Sequence, residues 1–242
     1  MSPSVAIKSY DKIGLNSGVV LDLPGFEGAG SILYDLSRDH NNGIIYGATW
    51  TQLASGLWVL GYDGDDYVDI GETFQATFRD SCTLSIWVKP TDGQPAASQF
   101  IMGSKNASAE DQLNLRIDTT GDLIAYYKSN NNGVQASGGA GTFTNGQQDW
   151  HRIDVVTDSA NTDTEGIKLY LDATKIATGD AAAVTFAIWT SVDEFFIGAY
   201  DLDGTATSYF TGLIALPRIR NEIVLGVDLQ CEFNRERSLF GV

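Results

Sequence analysis

Short apolar stretches that alternate with polar residues recur along the chain and restrict what it can fold into. Because successive side chains of a β-strand point to opposite faces, this alternation predicts half-buried strands. The stretches are also rich in β-branched and aromatic residues, which favour strands. The clearest examples each place apolar side chains on one face: Leu84, Ile86 and Val88; Leu113, Leu115 and Ile117; Ile167, Leu169 and Leu171. The pattern predicts an all-β protein.

Turn dipeptides separate these stretches at roughly eight- to twelve-residue spacing, which is typical of an antiparallel sandwich with two sheets. They are Asn42-Gly43, Asp63-Gly64, Asp92-Gly93, Asn132-Gly133, Asn145-Gly146 and Asp203-Gly204. Since β-sandwiches of roughly 200–250 residues form one unit, the 242 residues are interpreted as an N-terminal extension over residues 1–17 and a single domain over residues 18–242. Residues 129–148 are predicted to form an extended hairpin loop.

One segment departs from the strand pattern and predicts a short C-terminal helix over residues 227–237. Asp228 is the expected N-cap, and Leu229 and Phe233, four residues apart, are expected to meet the sandwich. Glu232 and Glu236 share another face of this helix, which we expect to be solvated.

The charge balance limits the partners and cofactors. Asp and Glu number 31 against 15 Lys and Arg, a net charge of −16, which disfavours nucleic acid and anionic membrane surfaces. No secretory signal is visible, and no run approaches about 18 apolar residues, so we expect no membrane insertion. Most of the acids are Asp, whose hard oxygens make Ca²⁺ the cofactor to consider.

The order of the segments resembles the laminin G-like (LamG) family of concanavalin A-like jelly rolls. The segments that carry the resemblance are GVVLDLPGFEGAGSILYDLSRDHNNG, GLWVLGYDGDDYVDIG, TLSIWVKP, WHRIDVVTD, IKLYLDATKIATG, FFIGAYD and YFTGLIALPRIRN. The resemblance implies a two-sheet antiparallel jelly-roll sandwich and favours an extracellular or virion-surface location. It says less about function, because this fold hosts lectins, adhesion modules, viral structural parts and hydrolases.

Three clusters of oxygen-bearing residues are candidate Ca²⁺ sites, none with EF-hand spacing. They are Asp35, Asp39, Asn41 and Asn42; Asp63, Asp65 and Asp66; and Asp201 with Asp203. The alternative is that these turns satisfy their own backbone amides.

The chain departs from the family at a cation ligand and at a turn. The resemblance implies a structural cation held in part by an Asp where Ala215 stands here, so such a site relies on backbone carbonyls or is absent. Where the family has Asp-Gly, the chain has Asp172-Ala173, which suggests a changed turn type.

Aromatic and polar side chains give the candidate ligand site. Trp87 and Trp150 are expected to be core residues of facing sheets, with sugar stacking as the alternative. Trp189 is the predicted exposed platform, joined as ligand-binding residues by Asp201, Asp203 and the rim residue His40. His151 is interpreted as a hydrogen-bonded structural histidine.

The two cysteines allow at most one disulfide. Cys82 and Cys231 form either one disulfide or two free thiols, and we expect two buried thiols.

The acids yield no catalytic signature. No array of carboxylates on one strand matches those of the related glucanases, so enzyme activity is uncertain and a non-catalytic role is favoured.

Three functions remain open at this point. The first is a recognition module that binds carbohydrate or a protein surface, with Ca²⁺ as an aid. The second is a structural or decoration module, which leaves a homo-oligomer open because the C-terminal segment is free to dock on a neighbour. The third is a divergent polysaccharide hydrolase or lyase.

Overall fold

A computed structural model describes residues 18–105, 111–161, 163–190, 193–202 and 205–242, and in this part of the chain eighteen strands and two helices form. The strands are β1 Val19–Asp22, β2 Ile32–Leu33, β3 Gly43–Tyr46, β4 Thr49–Gln52, β5 Trp58–Asp63, β6 Tyr67–Asp69, β7 Cys82–Pro90, β8 Gln99–Lys105, β9 Gln112–Ile117, β10 Leu123–Ser129, β11 Asn132–Ser137, β12 His151–Thr157, β13 Ile167–Leu171, β14 Thr174–Gly179, β15 Phe196–Ile197, β16 Tyr200–Leu202, β17 Thr205–Thr207 and β18 Thr211–Arg220. The helices are α1 Gln75–Phe78 and α2 Gly226–Phe240, and a 3₁₀ turn covers Phe186–Ile188. The predicted extension, residues 1–17, lies outside the described residues.

Two antiparallel sheets account for nearly all the strands. Sheet A has the order β14-β13-β12-β7-β18-β5-β4, and β1 also pairs with β18. Sheet B has the order β11-β10-β9-β8-β15-β6-β3-β2, and β16 pairs with β17 as a separate hairpin. The predicted two-sheet antiparallel jelly-roll sandwich with a short C-terminal helix is confirmed. No helix among the described residues is long and apolar enough to cross a membrane.

The main core lies between the two sheets. The alternating residues predicted from β7, β9 and β13 line it, and Leu84, Val88 and Ile117 are each no more than 2% exposed. Burial of such side chains from both sheets is the largest stabilising contribution to a sandwich of this kind.

A second, smaller core lies between the outer face of sheet A and helix α2. Phe240 stacks on Trp87 at 4.2 Å between ring centroids, and Phe233 and Trp150 complete the cluster. The prediction that Trp87 and Trp150 fill the core between the sheets is therefore wrong. They point outward, and the helix keeps them dry; this also explains why β7 is buried on both faces.

Helix α2 begins three residues earlier than the predicted cap requires. Its N-cap is Leu225, whose side chain makes no capping hydrogen bond, so Asp228 is not the N-cap. Asp228 stands in the first turn, where a carboxylate interacts favourably with the helix dipole. Leu229 and Phe233 are buried as predicted.

An ionic network fixes the same helix to sheet A. Arg152 is fully buried and reaches Glu232 at 2.7 Å, Glu236 at 3.0 Å and Asp154 at 2.9 Å. Burial raises the pKa of Glu232, but Arg220, Arg218 and Arg152 outweigh it and hold this pKa below its usual value. The predicted solvated face of α2 is thus wrong, because Glu232 and Glu236 face three arginines of the sheet.

The segment 129–148 contains the strand β11, so the prediction of an extended hairpin loop over these residues is wrong.

The β13–β14 turn and the cysteines bear on two further predictions. Asp172 and Ala173 in this turn have φ of 49° and 61°, the left-handed pair of a type I′ turn. Cys82 and Cys231 are both free, and Cys231 is exposed, against the prediction that both are buried.

Replacing Arg152 tests the ionic network. Arg152→Met leaves the buried Asp154 without its cation and removes one of the cations that face Glu232 and Glu236, which costs about 3–5 kcal/mol in the free energy of unfolding. Urea denaturation measures this loss. Lys175→Met, which breaks the exposed ion pair with Glu165, is the matched control and should change the midpoint little. Equal effects of the two substitutions would contradict the assignment.

Candidate functional site

A groove lies on the part of the outer face of sheet A that α2 leaves open. Its volume is about 350 Å³, and it is lined mainly by hydrogen-bonding residues of four neighbouring strands and the loops that follow them. The lining residues are Thr49, Thr51, Gly61, Tyr62, Asp63, Asp66, Lys89, Pro90, Thr91, Gln148, Gly212 and Leu213. The size is that of a small-molecule site.

Backbone geometry keeps the groove open. Gly212 has a φ of 144°, and a Cβ there would lie 2.2 Å from the carbonyl oxygen of Lys89. Only glycine fits this close approach of β18 to β7. Gly212 therefore lines the groove without a side chain that would fill it. Thr49 and Thr51, two residues apart on β4, line the same groove.

An acidic turn closes one end of the groove. It joins β5 to β6, and one carboxylate oxygen each from Asp63, Asp65 and Asp66 lies within 4.8 Å of the others. Asp66 is buried, and its Oδ2 accepts the backbone N–H of Asp63 at 2.9 Å. Gly47 packs against Asp66 so closely that a Cβ would meet Oδ1 at 1.9 Å. The turn is therefore held from two sides.

The surroundings of this turn destabilise the charged forms of Asp65 and Asp66. A hydrogen bond to Asp63 and the charge of Asp63 raise the pKa of Asp65 above its usual value. Burial raises the pKa of Asp66, and the charges of Asp63 and Asp65 add to this. Within the described ranges no salt bridge reaches any of the three, so a bound cation would relieve a repulsion that the fold leaves in place.

The spacing of these oxygens fits one divalent cation. Ca²⁺ holds its oxygen ligands at about 2.3–2.6 Å, so two ligands of one ion lie at most about 5 Å apart. The 4.8 Å limit of the cluster is within that span. Asp63 and Asp65, two of the predicted metal ligands, are therefore brought together by the structure.

The first predicted cluster, in the loop from Asp35 to Asn42, uses the side-chain oxygens of Asp35 and Asn42 for hydrogen bonds within the fold. The buried Asp35 accepts backbone N–H groups from Asp22 at 2.7 Å and Ser37 at 2.8 Å on Oδ1, and from Asn41 at 2.8 Å on Oδ2. Asn42 Oδ1 accepts the N–H of Asp35 at 2.9 Å. This is the alternative in which an Asp-rich turn satisfies its own amides, and the cation site at Asp35 and Asn42 stays a prediction.

The remaining residues of that loop face solvent. Asp39 and His40 are both exposed, and neither lines the groove. His40 has a φ of 56°, in the left-handed region. The loop is thus organised around the Asp35 carboxylate, with these two side chains on its surface.

The predicted platform at Trp189 is wrong. Its side chain is 0% exposed and packs against Phe78 at 5.6 Å and Tyr127 at 5.1 Å between ring centroids, so no sugar can stack on it. Asp203 and the side chain of Asp201 lie outside the described part of the structure, and their predicted role stays a prediction.

His151 has the structural surroundings predicted for it. Its Nδ1 lies 2.8 Å from Asp172 Oδ2, and its Nε2 lies 2.7 Å from the Gln147 side chain. Both ring nitrogens are engaged at the start of β12, which orients the ring and leaves neither nitrogen for a substrate.

Sequence reasoning missed most of the groove. Thr49 and Thr51 alternate along β4, a signal that does place both on one face. Lys89 and Gln148, however, are brought to them only by the pairing of distant strands, which a single sequence does not reveal.

A family match covers most of the residues that line the groove. Residues 62–224 match the family Laminin_G_3, described as the concanavalin A-like lectin/glucanases superfamily. The chain belongs to this family. The LamG resemblance is thereby confirmed, and the matched range includes the acidic turn. It ends before α2, so the helix that delimits the groove lies outside the part that matches this LamG family. No curated protein sequence matches the chain.

Solved structures share the fold at low identity. A botulinum neurotoxin DC binding domain in complex with rat synaptotagmin II has a TM-score of 0.66 and 14% identity, over 93% of this chain and 52% of that one. The serotype C1 binding domain has a TM-score of 0.66 and 16% identity, over 91% and 52%. The LamG chain spans about half the length of these structures, and at such identities the likeness shows the fold alone.

The acidic turn predicts an unusual response to losing a charge. Because the pKa of Asp65 is raised in the folded state, its ionisation destabilises the fold at every pH above that folded pKa and has no effect below the unfolded pKa. In a chelating buffer, Asp65→Asn should therefore raise the urea midpoint at pH 7 and leave it unchanged near pH 3. A lower midpoint at pH 7 would contradict the repulsion.

Proposed function

We propose that this LamG domain is a non-catalytic recognition module that binds a glycan in the groove of sheet A, with Ca²⁺ held at the acidic turn. The observation that carries the proposal is the groove itself, which ends in three converging carboxylates. The extracellular or virion-surface location expected from the family stays a prediction.

The lining suits the hydroxyl groups of a sugar. Thr49 and Thr51 offer hydroxyls that both donate and accept, Gln148 offers an amide, and Lys89 offers a cation. Leu213 gives an apolar strip for the C–H face of a ring. Because Asp63 and Asp66 are acidic, a neutral glycan fits better than a strongly anionic one.

The three carboxylates of the acidic turn supply only part of the oxygen ligands that Ca²⁺ needs. Asp63, Asp65 and Asp66 would hold the ion, which prefers six to eight oxygens. A bound Ca²⁺ would supply positive charge that attracts sugar hydroxyl oxygens. The acidic turn thus has two roles in the proposal, to hold the ion and to close one end of the groove.

Calcium should stabilise the fold. At about 100 times its dissociation constant, a ligand of the native state contributes about 2.7 kcal/mol, or roughly 5–10 °C in Tm for a chain of this size. Scanning calorimetry with Ca²⁺ or EDTA measures the shift, which Asp65→Asn should reduce strongly. Asp39→Asn, on the exposed loop, is the control and should keep it. A shift lost in Asp39→Asn and kept in Asp65→Asn would overturn this site.

Glycan binding should depend on the groove. Binding to a glycan array in the presence of Ca²⁺ should disappear with EDTA. Gln148→Ala should weaken it about fivefold or more, since it removes a hydrogen bond to the ligand. His40→Ala, outside the groove, should leave binding unchanged, and unfolding curves check that both variants fold. An array without any ligand, or binding lost only in His40→Ala, would contradict the proposal.

A hydrolase is the second candidate, favoured by one observation. Burial raises the pKa of Asp66 beside Asp63 in a groove, as a general acid requires. Yet the three carboxylates belong to one turn and lie closer together than the pair of a retaining glycosidase, about 5–5.5 Å apart. Release of sugars from a polysaccharide panel, abolished by Asp66→Asn, would establish this alternative in place of pure recognition.

The structural-module alternative loses one of its motives. That motive is a C-terminal segment free to dock on a neighbour, whereas α2 docks on its own sheet through Phe233 and Phe240. Light scattering decides the matter: a monomer agrees with the recognition module, and a stable trimer or larger assembly favours the structural one.

A further inference from the structure

A second exposed surface lies on the other sheet, at the edge formed by β2, β3 and β6. Ile32 and Ile44 pair across β2 and β3 and are 40% and 49% exposed. Tyr46 lies two residues beyond Ile44, on the same face, and is 44% exposed. Large apolar side chains that cluster on a face in this way mark interaction surfaces.

The aromatic part of this surface is preorganised. Tyr46 stacks on Tyr67 at 4.7 Å between centroids with an interplanar angle of 11°, and Tyr67 rests on the buried Phe196 at 4.9 Å. One face of the Tyr46 ring is thus covered while nearly half of the residue remains open. The ring is held in place before any partner arrives.

An acidic pair lies directly beside the aromatic residues. Asp69 pairs with Ile44 on β3 and with Phe196 on β15, and it shares the face of Tyr67, two residues away. Its side chain is hydrogen-bonded to that of Glu194. Among the residues that the structure describes, no salt bridge reaches either carboxylate, so no cation of this part of the chain is paired with Asp69 or Glu194.

The geometry points to an arginine-binding surface for a basic partner protein, formed by Ile44, Tyr46, Asp69 and Glu194 and called here the Tyr46–Asp69 face. A planar guanidinium stacks on a tyrosine ring and donates to a carboxylate pair at once, which an ammonium does less well. Its methylene stem packs on Ile44, and apolar residues flanking the arginine pack on Ile32.

Charge selects this occupant over the others. The chain carries −16, and a second copy would bring the same carboxylates against Asp69 and Glu194. A sugar would find two isoleucines where it needs hydrogen-bonding groups. A cation between apolar residues satisfies the acids, the ring and the aliphatic side chains together.

The raised pKa of Glu194 agrees with a surface that favours a cation. Burial raises its pKa, and the neighbouring charge of Asp69 raises it further. A bound guanidinium would reverse the effect of Asp69, so binding should release protons near the acid range and strengthen as the pH rises from about 4 to 7.

Peptide binding tests the proposal. The probes are acetylated hexapeptides of alternating Leu and Arg, Leu and Lys, and Leu and Gln, titrated at 50 mM and 300 mM salt and followed by NMR. The Arg peptide should bind more tightly than the Lys peptide, and the Gln peptide should not bind. Tyr46→Leu and Asp69→Asn should each weaken the Arg peptide about three- to fivefold, the loss expected for one exposed cation–π contact or one surface ion pair.

A matched control separates the face from general attraction to an acidic protein. Glu222→Gln removes one exposed charge at the end of β18, on the other sheet, and should leave the affinity within about twofold. Equal losses in Glu222→Gln and Asp69→Asn would overturn the proposal. So would equal binding of the Arg and Gln peptides, or a dimer that Tyr46→Leu dissolves, since the face would then bind a second copy.

The two proposed sites can fail separately. Gln148→Ala changes the groove of sheet A and should not alter binding of the Arg peptide to sheet B. Glycan binding that vanishes in Tyr46→Leu but survives in Gln148→Ala would assign the Tyr46–Asp69 face to sugars and overturn the assignment to arginine.

Discussion

The docking of α2 on the outer face of sheet A is the interaction on which the rest of the structure depends. Trp87 and Phe240 stack at 4.2 Å, and beside them the buried Arg152 is neutralised by carboxylates from both the sheet and the helix. A buried cation is tolerated only when it is paired in this way. Beside the cluster that the helix covers, Thr49, Thr51, Lys89 and Gln148 line a groove with hydrogen-bonding groups.

The chain uses Asp in two physically different ways. At Asp35 the carboxylate points inward and is saturated by backbone amides, so it shapes a loop. At Asp63, Asp65 and Asp66 the carboxylates converge on one another. A hydrogen bond to Asp63 and the charge of Asp63 raise the pKa of Asp65, and burial raises the pKa of Asp66, with the charges of Asp63 and Asp65 adding to it. A turn of the first kind stabilises the fold, whereas the charges of the second kind are ones that a bound cation would stabilise. That contrast makes the acidic turn, and not the Asp35 loop, the functional candidate.

Much of the sandwich follows from the alternation of apolar residues, which correctly placed Leu84, Leu115 and Leu169 in the core. Alternation says which residues share a face, but it does not say what covers that face. Trp87 and Glu236 were therefore misplaced, since only the folded chain shows that a helix lies over the outer face of β7. The prediction for Trp189 is wrong for a related reason. Phe78 and Tyr127 enclose its side chain from distant segments of the chain, which the local sequence does not reveal.

Backbone amide NMR during a Ca²⁺ titration tests the account's central claim, that the acidic turn at the end of the groove is the functional centre. The account predicts saturable shifts confined to Asp63, Gly64, Asp65 and Asp66, and to Gly47, which packs against Asp66. Saturable shifts centred on Asp35, Asn41 and Asn42, or no shifts at millimolar Ca²⁺, would contradict it.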